Sequence, residues 1–277
     1  MHTRTSSDVA FDPAWEFPSF RMRERFAKEH KYCVIAFVIN EGDKVGKQLA
    51  QMAMYAQVVD IIVADGGSKD DSLREEVLKM GNVRTLLTKT GPGKLSAQMR
   101  MAFAYALNEG YEGAVVVDGN GKDDISAIPL FVAALEGGYD HVQGSRYIPE
   151  GKAINTPLSR HLGVHLLHAP LISLSAGFHY TDTTNGFRAY SSRLLGDPRL
   201  QIFRDVFETY ELHYYLAITA ARFGYKVKEV PVTRAYPAKG ETPTKISPIK
   251  GNAKVLKILF KAALHQYDPK PARSEES

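Results

Sequence analysis

The chain holds one cysteine and one tryptophan in 277 residues. With Cys33 alone, no internal disulfide can form, which suits the cytoplasm; the residue sits inside the apolar run Tyr32 to Ile39 and reads as strand filler. Long hydrophobic runs are also missing, since none approaches the ~20 residues a bilayer crossing needs. The stretch Met1 to Ser7 is polar and lacks the apolar segment of a secretory signal. Nor is there an excess of one charge: 35 Lys and Arg stand against 31 Asp and Glu, a formal +4 too balanced to imply a nucleic-acid partner. A cytoplasmic protein with one large domain and a substantial core is expected.

What is present is alternation. Residues 1–30 mix Pro13, Pro18 and charges without a period and read as an N-terminal extension with one short helix. Strand-like runs follow at Tyr32 to Val38, Val58 to Ala64, Val83 to Leu87 and Ala114 to Val117, separated by helix-like segments near 43–55, 70–80 and 95–109. This pattern predicts an α/β fold with a mostly parallel central sheet flanked by helices, over residues 31–235. After Asp124 the signal loosens into a helix reaching Leu135, a strand near Asp140 to Gln143, and an apolar segment from Leu158 to Phe178 that either packs in the core or lies at an interface. Residues 236–277 form a basic C-terminal segment. There Lys239, Lys245, Lys250, Lys254, Lys257 and Lys261 interleave with Ile258, Leu259, Phe260 and Leu264. An amphipathic helix over Asn252 to Gln266 is expected, docking the protein peripherally on an anionic membrane surface at the cytoplasmic face.

Three loops fall at the ends of predicted parallel strands: Asn40-Glu41-Gly42, Asp65-Gly66-Gly67-Ser68 and Asp118-Gly119-Asn120. Open α/β sheets bind ligands along that crest. The run from Gly113 to Asp124 delivers acidic and amide groups into a turn too glycine-rich to be core, and such a turn suits a metal-bound diphosphate. Asp65 is placed to hydrogen-bond the edge of a base, with Gly66 and Gly67 leaving room for a flat ring; Ser68, Asp70 and Asp71 serve equally as a helix start. Lys94 after Gly91-Pro92-Gly93 suggests a P-loop, but Thr88 stands where that motif requires glycine. His161, His165 and His168 share a helical face at zinc-compatible spacing, yet no acidic residue or cysteine adjoins them, and they read as a polar helix edge.

In this order the motifs resemble the family 2 glycosyltransferases of A-type fold, over roughly residues 32–235. Ile39-Asn40-Glu41 is similar to the family's Tyr-Asn-Glu, and Asp65-Gly66-Gly67-Ser68 to its Asp-Asp-Gly-Ser with one aspartate lost. The segment Asp118 to Ile125 resembles the Asp-x-Asp-x-Gln-Asp-Asp-Pro of the polyprenyl-phosphate, dolichol-phosphate mannose synthase-like branch. Gly144-Ser145-Arg146-Tyr147, Asp182 to Arg188, and Gly224 to Pro231 with its Glu229-Val-Pro continue the match.

The resemblance implies an inverting, hexosyltransferase-like enzyme that uses a nucleoside-diphosphate sugar. Its favoured acceptor is polyprenyl phosphate. The alternatives are a saccharide or glycolipid acceptor in surface polysaccharide synthesis, or nucleotide-sugar binding without turnover. Carried over residue by residue, Asn40, Glu41, Asp65, Lys94, Asp118 and Asn120 bind the donor. Asp118 and Asn120 hold Mg2+ or Mn2+; Asp118, Lys122 and Arg146 act in catalysis; Ser145, Arg146, Asp182 and Asn185 hold the acceptor. Two departures matter. Asn120 replaces a carboxylate and Lys122 an amide, and both changes weaken a hard divalent ion's hold unless Lys122 itself meets the diphosphate. A lipid phosphate brings its own nucleophilic oxygen, whereas a sugar hydroxyl needs a carboxylate base, for which Asp182, Glu208 and Glu211 are the candidates.

Overall fold

The structure is a computed structural model and describes residues 3–238 and 250–270, with backbone alone at 250–252. Its strands are β1 Thr3–Thr5, β2 Phe20–Glu24, β3 Tyr32–Val38, β4 Asp60–Asp65, β5 Val83–Lys89, β6 Gly113–Asp118, β7 His141–Ser145, β8 Lys152–Ile154, β9 Arg188–Ser191, β10 Val227–Pro231 and β11 Thr233–Ala235. The helices are α1 Asp43–Met52, α2 Glu75–Met80, α3 Leu95–Asn108, α4 Ile128–Glu136, α5 Leu158–Gly163, α6 Ala169–Ala176, α7 Ser192–Leu195, α8 Glu211–Arg222 and α9 Lys250–Ala263.

Nine strands make the main sheet in the order β1-β2-β5-β4-β3-β6-β9-β7-β10, and β8 pairs with β11 beside it. Every residue of β3 is buried. Its alternation explains why: Cys33, Ile35 and Phe37 enter one core with Met99 and Phe103 of α3, while Val34, Ala36 and Val38 enter the other with Val45 and Leu49 of α1. A strand covered on both faces must be apolar throughout, which is the run the sequence shows.

β3, β4, β5 and β6 are parallel, and the chain runs outward from β3 in both directions, to β4 on one side and β6 on the other. That reversal opens a crevice at the strand ends. Register sets the crest's height, because Val38 pairs with Asp65 and Phe37 with Asp118.

The N-terminal extension departs from expectation. A single 3-10 turn at Ser6–Asp8 is the short helix, but residues 20–24 form β2, antiparallel to β5, so the extension also adds to the sheet. Phe20 and Met22 are buried by it. Lys239 and Lys245 lie outside the described residues. The expected docking face of α9 is also corrected: Ile258, Leu259 and Ala262 are buried in the core that α8 lines. Those three side chains are covered by protein, while Phe260 and Leu264 of the same segment stay exposed.

Candidate functional site

The crest is laced from loop to loop. Asn40, at φ 48°, donates its N–H to the Ser68 hydroxyl (3.0 Å), and its side chain accepts from the Lys69 N–H (2.8 Å). The Gly42 N–H reaches the Asp70 carboxylate at 3.0 Å. Asp65 is buried and spends one oxygen, Oδ1, closing its own turn, accepting from Gly67 (3.1 Å) and Ser68 (2.8 Å). Gly67 holds φ +94° there, a conformation side chains rarely tolerate. Gln98 bridges the carbonyls of Val38 and Ala64, tying the ends of β3 and β4 together. Gln48 does the same for the next loop, donating to the Asp118 carbonyl (2.9 Å) and accepting from the Gly121 N–H (2.8 Å). Lys94 is exposed at the start of α3, its N–H bonded to the Glu208 carbonyl (2.9 Å).

Asp118 does not stand alone at the end of β6. Its Oδ2 accepts from Arg234 Nη2 at 3.1 Å and from the Asn120 amide at 3.4 Å. Arg234 also clamps buried Asp123 through Nη1. The backbone enforces this arrangement: the Asp124 N–H donates to the Thr233 carbonyl (2.9 Å) and the Ala235 N–H to the Lys122 carbonyl (2.8 Å), so β11 is stitched to the 122–124 loop on both sides of the pair. Burial works against the charge on Arg234, but Asp123 and Asp118 outweigh it. Burial pushes the Asp123 carboxyl up while Arg234 pulls it back. Burial, then Arg234, push the Lys122 ammonium below its ordinary range; it lies 5.3 Å from the Tyr236 ring centre.

These residues fit a divalent ion poorly. Such an ion asks for about six oxygen ligands with carboxylate charge. Here Asp118 is shared with a guanidinium, Asn120 is an amide turned toward Asp118, and the unpartnered Oδ1 of Asp123 is sealed from solvent. Among the described residues, no group of three His, Cys, Asp or Glu is placed to hold a metal, and this includes His161, His165 and His168.

On the acceptor side, Ser145 ends β7 and Arg146 follows it. Arg146 is buried and forms a two-pronged ion pair with Asp182, Nε to Oδ2 at 2.6 Å and Nη2 to Oδ1 at 3.0 Å, and reaches Thr184 Oγ1 at 2.8 Å. Ser145 meets Thr181 hydroxyl to hydroxyl at 2.5 Å. Glu229 accepts from the Thr181 and Asp182 N–H groups and the Thr181 hydroxyl, and burial pushes its carboxyl up. Asn185 is buried too, its side chain accepting from the Phe187 N–H at 3.0 Å. Ser145, Arg146, Asp182 and Asn185 thus come together, but largely as one another's partners. Of the three base candidates, Asp182 is spent on Arg146 and Glu211 on Thr209, while Glu208 stays exposed.

Gln48, Gln98 and Arg234 escaped the sequence reading, and Asp123 entered it only as part of the motif at 118–125, without a role. No local pattern marks them, since the Arg234–Asp123 contact spans 111 positions.

No protein-family model matches the chain. It is 28% identical over 199 residues to the undecaprenyl-phosphate mannosyltransferase of Micrococcus luteus, covering 70% of this chain and 79% of that protein. To the polyprenol monophosphomannose synthase of Mycolicibacterium smegmatis it is 27% identical, covering 72% and 76%. To the dolichyl-phosphate hexose transferase of Haloferax volcanii it is 28% identical, covering 84% and 94%. Among solved structures it resembles glucosyl-3-phosphoglycerate synthase of Mycobacterium tuberculosis, in complex with Mn2+, UDP and glucosyl-3-phosphoglycerate. The TM-score is 0.58 at 18% identity, covering 87% of this chain and 81% of that one.

Proposed function

We propose that the chain, which has the fold of the A-type glycosyltransferases, is itself a glycosyltransferase that transfers a sugar from a nucleoside diphosphate to polyprenyl phosphate. The acceptor's phosphate oxygen attacks the anomeric carbon, the bond from that carbon to the β-phosphate oxygen breaks, and the nucleoside diphosphate leaves. No proton need be removed, because the attacking oxygen is already anionic.

The observation that carries this reading is the state of the carboxylates. Of the three candidate bases for a sugar hydroxyl, Asp182 and Glu211 are buried in structural hydrogen bonds, and Glu208 alone stays exposed. A nucleophile that brings its own charge needs none of them. The names of the relatives point the same way.

A second feature supports a lipid acceptor. From residue 158 to 176 the chain is helical, with a wider π-helical turn at Val164–His168 between α5 and α6. Its inner side buries Val164, Ala169, Ile172 and Ala176, whereas Leu158, Leu162, Leu166 and Leu174 stand 71, 46, 74 and 83% exposed. These leucines fall four or eight apart, on one stripe. The same helix carries His161 and His165, whose rings lie 5.3 and 4.3 Å from that of Tyr147, and Tyr147 in turn stacks under Arg146. An exposed leucine stripe on the helix that packs His161 and His165 against Tyr147, beside the Arg146–Asp182 pair, suits an acceptor with a hydrocarbon tail and a phosphate head.

The test is a panel of nucleotide sugars assayed with polyprenyl phosphate in detergent, followed by extraction of the lipid phase. Labelled glycolipid is expected from at least one donor. Transfer only to saccharides would establish the alternative acceptor, and donor binding with no transfer to anything would make this a binding protein.

A further inference from the structure

The loop that follows Asp118 carries its own counter-cation. Two carboxylates, Asp118 and Asp123, face a single guanidinium that contacts both, and Asn120 adds a neutral donor to the same Asp118 oxygen that Arg234 holds. Lys122 places a second cation within electrostatic reach of Asp118. Positive charge is therefore supplied in the place where a divalent ion would otherwise hold the acidic loop together.

Arg234 cannot easily yield that place. Its backbone neighbours are fixed on both sides by bonds to residues 122 and 124, and β11 is in turn paired with β8. A metal arriving at Asp118 would have to displace a buried guanidinium and leave Asp123 uncompensated. Breaking a buried pair on one side is strongly unfavourable. A guanidinium also matches phosphate geometry and stays charged at any working pH.

We propose that Arg234 replaces the divalent cation at this crest, so that the donor diphosphate is bound and its leaving charge balanced by Arg234 and Lys122 without metal. Arg234 fixes the Asp118 carboxylate and offsets the loop's acidic charge, and Lys122 meets the leaving phosphates. The inference rests on the nucleotide-sugar reading of the crest and specifies how that site handles charge.

The deciding measurement is calorimetric titration of the metal-stripped chain with a panel of nucleoside diphosphates, in EDTA and again in Mn2+, alongside Mn2+ alone followed by electron paramagnetic resonance. The nucleotide that binds should do so with affinities within about threefold in the two conditions, and the Mn2+ spectrum should remain that of the free ion. Arg234→Gln should lower affinity in EDTA about tenfold and make Mn2+ restore it, while Arg234→Lys keeps most of the affinity. Nucleotide binding that needs Mn2+ in the unmodified chain would overturn the proposal and leave the nucleotide-sugar reading standing. No nucleotide bound in either condition would overturn both. The comparison on the unmodified chain decides the matter even if Arg234→Gln fails to fold.

Discussion

Asp65 shows how one side chain can hold a turn and offer a binding group together. One oxygen closes the Gly67–Ser68 turn, and Asp65 lies one residue further along the crest than Asp118 across β3. Asp65→Asn keeps an oxygen for the turn but exchanges the other acceptor for a donor. Stability should therefore change by less than about 1 kcal/mol. If Asp65 reads the edge of a base, nucleoside-diphosphate affinity should fall about tenfold by calorimetry. Unchanged affinity would place the base elsewhere. Asp65 and Asp118 were legible because each ends a short apolar run at a glycine turn, a pattern local to a few residues. Arg234 was not: in Val232-Thr233-Arg234-Ala235 it is a lone basic residue, and only the long-range pairing of β11 with the 122–124 loop gives it meaning.

At the level of elements, two helical segments carry apolar residues toward solvent, and the structure buries more of that surface on the one whose sequence pattern is clearer. α9 has the better lysine-flanked amphipathic pattern, yet Ile258, Leu259 and Ala262 of its apolar face enter the core around α8. The segment 158–176 looks irregular because Pro170 and three histidines interrupt it, but the proline falls just after the π-helical turn at Val164–His168, and the helix runs on through it. Periodicity reports that a face is apolar, not what covers it. Similar reasoning explains β2, whose five residues alternate weakly and gain their place only from the edge of β5. The two helices make opposite predictions. Leu259→Ala should destabilise the fold by about 2–5 kcal/mol in denaturant titrations while leaving vesicle binding intact. Leu162→Glu with Leu166→Glu should leave stability within about 1 kcal/mol, since both side chains are solvent-exposed, and abolish co-sedimentation with anionic vesicles. Co-sedimentation that survives the double change would detach the leucine stripe from membrane contact.

Across the whole molecule, the second half of the sheet rests on buried polar groups. Arg188, fully buried, gives its guanidinium to the carbonyls of Thr183, Asn185 and His213. His141 lies in the same layer, stacked on Tyr190, and its Nδ1 is 3.1 Å from the Tyr180 hydroxyl. Because that hydroxyl donates to the Ala217 carbonyl, His141 must carry its proton on Nδ1 and be neutral at Nε2. Burial, with Arg188 next in effect, holds both His141 and His213 well below the ordinary imidazole value. The unfolded chain takes up these protons near pH 6.5 and the folded chain resists, so this stability is present above that pH and lost as pH falls below it. Two such sites give a slope of up to about 2.7 kcal/mol per pH unit. Glu229 opposes it, because burial raises its carboxyl and the folded state gains as that group protonates. The two histidines outnumber it. Urea titrations at pH 7.5, 6.5 and 5.5 should show little change over the first interval and a marked loss over the second. His141→Phe, which keeps the stack on Tyr190, should halve that loss. A stability that stays level down to pH 5.5 would mean that water or a local opening lets these imidazoles charge within the folded chain.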